Sequence, residues 1–265
     1  MFPIKDNIPT ERFPLVTVAL IIINCVVYLF LQKKSGVDFS GNSLDQSSLT
    51  HYSVVPYEIT HWGKHCDFDP GSGQVACQGQ PGTTGRPEAQ LSTPFTVFTS
   101  MFTHGGLLHL AGNMLFLWIF GNNVEDSMGK LKFIIFYLLG GLAALGLQIA
   151  VDPSSTGPTL GASGAIAAVL GGYILLYPRA RVLTVVFIIL FFTVIEVPAL
   201  VVLGIWIVEQ VAFGAYGLSD PTGSGGGVAY FAHIGGFVAG LLLIRLFATR
   251  RNPAYLAGGP PRVAT

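Results

Sequence analysis

Residues 13–32 contain no Asp, Glu, Lys or Arg, and that run constrains the chain more than any other feature. At 1.5 Å per residue, about 20 apolar residues make a helix as long as the hydrocarbon core of a bilayer is thick. Comparable runs occupy residues 102–120, 131–151, 161–177, 182–217 and 228–248. Only 11% of the 265 residues are charged, where a soluble domain carries about 25%, so lipid is the solvent this chain is suited to. The 14 basic and 14 acidic residues balance, which leaves no excess of positive charge for nucleic acid. The first run is too long for the apolar core of a signal peptide and reads as an uncleaved first span.

The run at 182–217 is too long for one span and too short for two. Glu196 and Pro198 interrupt it, so residues 182–195 read as an interfacial or partly re-entrant lead-in and 198–216 as span five. Six spans put Lys5, Arg12, Lys130, Lys132, Arg179, Arg181, Arg245, Arg250, Arg251 and Arg262 on one side with both termini. That side is then cytoplasmic by the positive-inside rule, and seven spans would break the pattern. The fold class expected is an all-α polytopic membrane protein. A cytoplasmic N-terminus, 1–12, leads into a membrane domain, 13–248, whose outer loop is 33–93. A disordered cytoplasmic tail, 249–265, rich in Gly and Pro, follows. Within the outer loop, Cys66 and Cys77 are expected to pair rather than to bind Zn with His61 and His65.

Polar groups inside spans are expensive and are functional candidates by default. His109 and Asn113 are four residues apart and share a helix face near the start of span two, with His104 just before them. Ser163 opens span four in GASGAIAAVLGG, residues 161–172, and His233 lies near the start of span six in AYFAHIGGFVAG, residues 229–240. Spans two, four and six run in the same direction, so all five residues sit at similar depth in the outer half. Small neighbours, including the Gly236–Gly240 pair, let the helices of Ser163 and His233 approach. A serine needs an adjacent base to become a nucleophile. Taken singly, each residue also has a packing or hydrogen-bonding explanation. Metal ligation lacks a Cys, Asp or Glu at matching depth. Glu125 and Asp126 read as fixing the inner loop, and Glu209 and Gln210 as structural hydrogen-bonding groups in span five.

THGGLLHLAGNM (103–114), GASG (161–164) and AHIGGFVAG (232–240), in this order, resemble the rhomboid family of intramembrane serine proteases. The resemblance covers the chain from about Thr93 to Phe247. It implies a compact six-helix bundle cleaving peptide bonds in or near transmembrane segments, with Ser163 as nucleophile and His233 as general base. His109 and Asn113 form the oxyanion hole with the Ser163 N–H, supported by His104, Gly161 and Gly164. No metal or cofactor is implied, because water is the only co-substrate. The partners implied are transmembrane protein substrates and the lipid bilayer. The location expected is a prokaryotic cell membrane, with the site opening on the extracytoplasmic side. Two departures matter. Ala167 stands where better-known members carry a tyrosine that packs on the catalytic histidine, leaving open what orients His233, with Tyr230 as one candidate. The first loop also lacks the Trp-Arg pair of some members. A polar-lined transporter or channel and a catalytically inactive helix-binding relative are the competing readings. Span five, which carries bulky residues such as Trp206 and Phe213, and the 217–227 loop after it are expected to form a lateral gate.

Overall fold

The computed structural model describes residues 2–32, 44–80, 91–188, 191–219, 228–250 and 255. In chain order, strand β1 (Phe2–Asp6) precedes helix α1 (Leu15–Gln32). Short helices α2 (Gln46–Tyr52) and α3 (Pro56–Thr60), hairpin strands β2 (Cys66–Asp69) and β3 (Gln74–Cys77) and helix α4 (Thr93–Thr99) follow. Then come α5 (Leu107–Met128), α6 (Lys130–Val151) and α7 (Ser163–Leu176). Strands β4 (Arg181–Ile188) and β5 (Phe191–Pro198) lead to α8 (Ala199–Ser219) and α9 (Tyr230–Phe247). Five helices, α1, α5, α6, α8 and α9, are long and apolar enough to cross a membrane, and α7 is a shorter apolar helix.

Helix α7 is the central post. Every residue from Gly164 to Ile174 is buried, because α6 and α9 pack on it through glycines. A Cβ on Gly236 would land on the Gly164 carbonyl oxygen, and one on Gly240 on that of Ala168. This backbone-to-backbone contact is how membrane helices associate where lipid supplies no hydrophobic drive. With 14 residues, α7 is about 21 Å long, short of the roughly 30 Å hydrocarbon core, so at least one of its ends is recessed.

The expected fold class is corrected in one respect. The lead-in to α8 is strand where it is described: β4 and β5 pair antiparallel in register Arg181↔Pro198 to Ile188↔Phe191, and β1 pairs along β4, giving strand order β1-β4-β5. The chain is therefore mostly helical with two small sheets rather than all-α. A uniformly apolar run hides its period, and the discriminating signal was its β-branched and aromatic content, Val182, Thr184, Val185, Val186, Thr193, Val194 and Ile195 among them. The N-terminal segment is likewise a strand. The tail is docked where it is described: the Thr249 and Arg250 amides donate to the Ser127 carbonyl, and the Tyr255 ring packs edge-on against Tyr177. Residues 251–254 and 256–265 lie outside the described residues.

Ionised groups lock the end of the bundle opposite Ser163. Glu125 accepts hydrogen bonds from the Val16 and Thr17 amides at 3.0 and 2.8 Å and from the Thr17 hydroxyl at 2.8 Å. It thereby satisfies the free N–H groups at the start of α1, where negative charge is favoured. Asp126 pairs with Arg250, which also reaches Glu11 at 2.8 Å. At the other end, β2 and β3 are closed by a Cys66–Cys77 disulfide. The buried Glu58 accepts from the Cys66 amide at 2.6 Å beneath it.

Asp6, at the end of β1, is buried and accepts from the Tyr173 hydroxyl at 2.6 Å and the Asn123 amide at 2.8 Å. Burial raises its carboxyl from 3.8 to about 7, against the lowering effect of those two bonds. A carboxyl whose folded pKa exceeds its unfolded one stabilises the fold fully below the unfolded value, and loses that contribution as pH rises through the folded value. The unfolding temperature in detergent is therefore expected to fall from about pH 4 to about pH 7, and Asp6→Asn to flatten the fall. An unchanged slope in Asp6→Asn would assign the pH dependence to another group.

Candidate active site

The turn before α7 is built for close approach. Gly161 has φ of 116°, and a Cβ there would lie 2.9 Å from His109 Cε1 and Nε2, so both backbone and space require glycine. Its amide donates to the Ser100 carbonyl at 2.8 Å. Ser163 is the first helical residue, and the N–H groups of a first turn have no intrahelical acceptor. Behind the serine is a cavity of about 20 Å³ lined by Met101, Gly141, Leu145 and Ala232.

His233 is in the first turn of α9. Its Nε2 lies 2.8 Å from Ser163 Oγ. Both residues are partly exposed, so the pair is buried against helices yet reachable. The approach rests on Gly164, where a Cβ would lie 2.6 Å from the Ala144 methyl, and on Gly236 across from it. The Ala232 amide is held by Gln148 Oε1 at 3.2 Å.

His109 and Asn113 lie on α5 on the other side of the serine. His109 Nδ1 accepts from the Gly105 amide at 3.3 Å. A neutral imidazole accepting at Nδ1 carries its proton on Nε2, the atom lying against Gly161 beside Ser163. Asn113 is buried, and its Nδ2 has no hydrogen-bond partner, an orphaned donor one turn below His109. His104 does not reach the serine. It is fully buried with neither ring nitrogen bonded, and its ring stands edge-on to His109 at 5.2 Å. Its backbone is bracketed by Gln32, which accepts from the His104 amide at 3.0 Å and donates to its carbonyl at 3.2 Å. His104 and Gln32 thus back the His109 ring.

Two contacts to His233 come from α8. His233 Nδ1 lies 2.7 Å from Gln210 Oε1, and the Trp206 ring packs on the imidazole at 5.6 Å between centroids. Tyr230 does not orient His233; it stacks on Phe213 at 5.7 Å. Gln210, expected from the sequence to be a structural hydrogen-bonding group, is instead a partner of His233; an amide in an apolar span signals a buried partner. Nothing in the sequence says that the partner is His233. Trp206 also packs on Phe237, and Phe213 on Tyr230, both on α9; residues 220–227 of the loop expected to form the gate lie outside the described residues. Among the described residues, no group of three or more His, Cys, Asp or Glu could hold a metal ion.

The arrangement can deprotonate a serine hydroxyl, hold the base in one tautomer and offer donors to a developing negative charge. A rhomboid domain model matches residues 92–250. Rhomboid protein 1, mitochondrial, of Saccharomyces cerevisiae is 33% identical over 158 residues, 57% of this chain and 41% of that protein. RHOMBOID-like protein 12, mitochondrial, of Arabidopsis thaliana is 31% identical over 159 residues, 53% of this chain and 43% of that protein. Presenilin-associated rhomboid-like protein, mitochondrial, of Homo sapiens is 35% identical over 94 residues, 35% of this chain and 24% of that protein. The matches thus span less than half the length of these relatives. All three relatives are named as mitochondrial proteins, which overturns the expectation of a prokaryotic cell membrane.

Proposed function

The chain belongs to the rhomboid family, and on that premise we propose that it is a serine endopeptidase cutting peptide bonds in or near transmembrane segments of other membrane proteins. The observation that carries this reading is the 2.8 Å contact between Ser163 Oγ and His233 Nε2 at the start of α7.

Ser163 Oγ attacks the scissile carbonyl while His233 Nε2 takes its proton. The oxyanion is met by the first-turn N–H groups at Ser163, by His109 Nε2–H and by Asn113 Nδ2, the donors required where charge develops. His233 then protonates the leaving amine, and water repeats the sequence on the acyl-enzyme. The bundle crosses the bilayer six times, α7 being the short crossing. Both termini lie on the face bearing Lys130, Lys132, Arg179, Arg181, Arg245 and Arg250, and residues 13–248 form the membrane domain. A mitochondrial membrane is its setting by analogy with the relatives named above.

A fluorophosphonate probe phosphonylates only an activated serine, an Oγ–P bond forming as fluoride leaves. Wild-type protein in detergent is expected to be labelled at Ser163, with labelling lost in Ser163→Ala. A transporter or an inactive relative would leave the wild type unlabelled, and that result would sink the hydrolase.

A further inference from the structure

We propose that Gln210 is a positioning residue for His233, making the hydrolytic centre a Ser163–His233–Gln210 triad with a neutral third member. This rests on reading Ser163 and His233 as nucleophile and base. Gln210 is buried on α8, and its side-chain amide is held from both ends. Its Nε2 donates to the Trp206 carbonyl one turn back at 3.2 Å, which turns Oε1 toward His233 Nδ1 at 2.7 Å.

An amide oxygen can only accept, so Nδ1 must carry the imidazole proton. Neutral histidine has one ring proton, which leaves Nε2 as the acceptor facing Ser163 Oγ–H. That is the tautomer a general base needs, and the wrong tautomer is what disables a triad lacking its acid. Helix α7 offers no substitute: one turn after Ser163 stands the fully buried methyl of Ala167. The base is therefore oriented from α8, by the Gln210 amide and the Trp206 face, and not by the helices that carry the serine and the histidine. An amide also suits the setting. A carboxylate at this depth would have to be desolvated and paired, whereas a neutral acceptor fixes the tautomer without burying a charge.

Gln210→Met keeps the volume and removes the acceptor; Gln210→Glu keeps both volume and acceptor. Gln210→Met is expected to lower kcat on a transmembrane reporter by roughly 10–100-fold, part of the 10²–10⁴ that a positioned base supplies. KM should stay within about twofold and the unfolding temperature unchanged, and the rate of fluorophosphonate labelling should fall in parallel with kcat. Gln210→Glu keeps the acceptor but loses the Nε2 donor that turns it toward His233, so it is expected to recover only part of the loss. Full activity in Gln210→Met, or a fall in its unfolding temperature with kcat per folded enzyme unchanged, overturns the positioning role and leaves Gln210 as packing. Failure of the hydrolase reading shows elsewhere, as unlabelled wild type or cleavage surviving in Ser163→Ala.

Discussion

Ser163→Ala and His233→Ala are each expected to abolish cleavage of a transmembrane reporter, by roughly 10⁴-fold or more, and the double variant to be no worse than either single one. Nucleophile and base act as a unit, so removing one removes the contribution of both. The 2.8 Å contact makes them one unit here. Asn113→Ala is expected to cost less, about 10²–10³ in kcat, the value of one oxyanion donor. Its Nδ2 bonds nothing in the resting structure, so the loss should fall on kcat with little change in the unfolding temperature. Three equal, near-zero effects would show that the chemistry resides elsewhere. A large fall in stability for Asn113→Ala would show instead that its amide supports the fold.

Gly236→Ala is expected to be about as damaging as Asn113→Ala, although it touches no reacting atom. Its new methyl would occupy the position of the Gly164 carbonyl oxygen and approach the Ala167 methyl at 3.2 Å. Both obstacles belong to α7, whose backbone is enclosed on all sides, so α9 must move away. Overpacking of this kind costs about 1–3 kcal/mol. The larger consequence is geometric. His233 is one turn before Gly236, and Ser163 is bonded directly to Gly164. Any separation of the two backbones therefore opens the dyad. A misplacement of about 1 Å can cost 10²-fold in rate, so kcat is expected to fall by about that factor while the unfolding temperature drops. Gly204→Ala on α8 is the control, since a Cβ there meets nothing within 4 Å. It is expected to be neutral or mildly stabilising, as Gly→Ala is in an open helical position by up to about 1 kcal/mol. Equal behaviour of the two variants would mean that the α7–α9 contact does not hold the site.

Much of this molecule was legible one residue at a time. The absence of charge from 13–32 and the runs like it dictated membrane-length helices, because no other element satisfies its own backbone in lipid. The positions of Ser163, His109 and His233 near the starts of three helices running the same way put them at one depth, since a helix rises by a constant amount per residue. Gly161, Gly236 and Gly240 announced close approach because only a missing Cβ permits it.

Other features depended on contacts the chain does not encode locally. The hairpin Arg181–Pro198 was hidden because a uniformly apolar run has no period to read, and its strand character depends on pairing with β1, some 180 residues earlier in the chain. The roles of Glu125 and Asp126 became visible only with the start of α1 and the Arg250 side chain beside them. Gln210 shows the division most sharply. The sequence determined that an amide in an apolar helix must find a hydrogen-bond partner, because an unsatisfied polar group in that medium is costly. Which of several polar groups it finds depends on the rotation and tilt of α8 against α9, set by side-chain packing between segments distant along the chain, and only the tertiary structure brings its oxygen to His233 Nδ1.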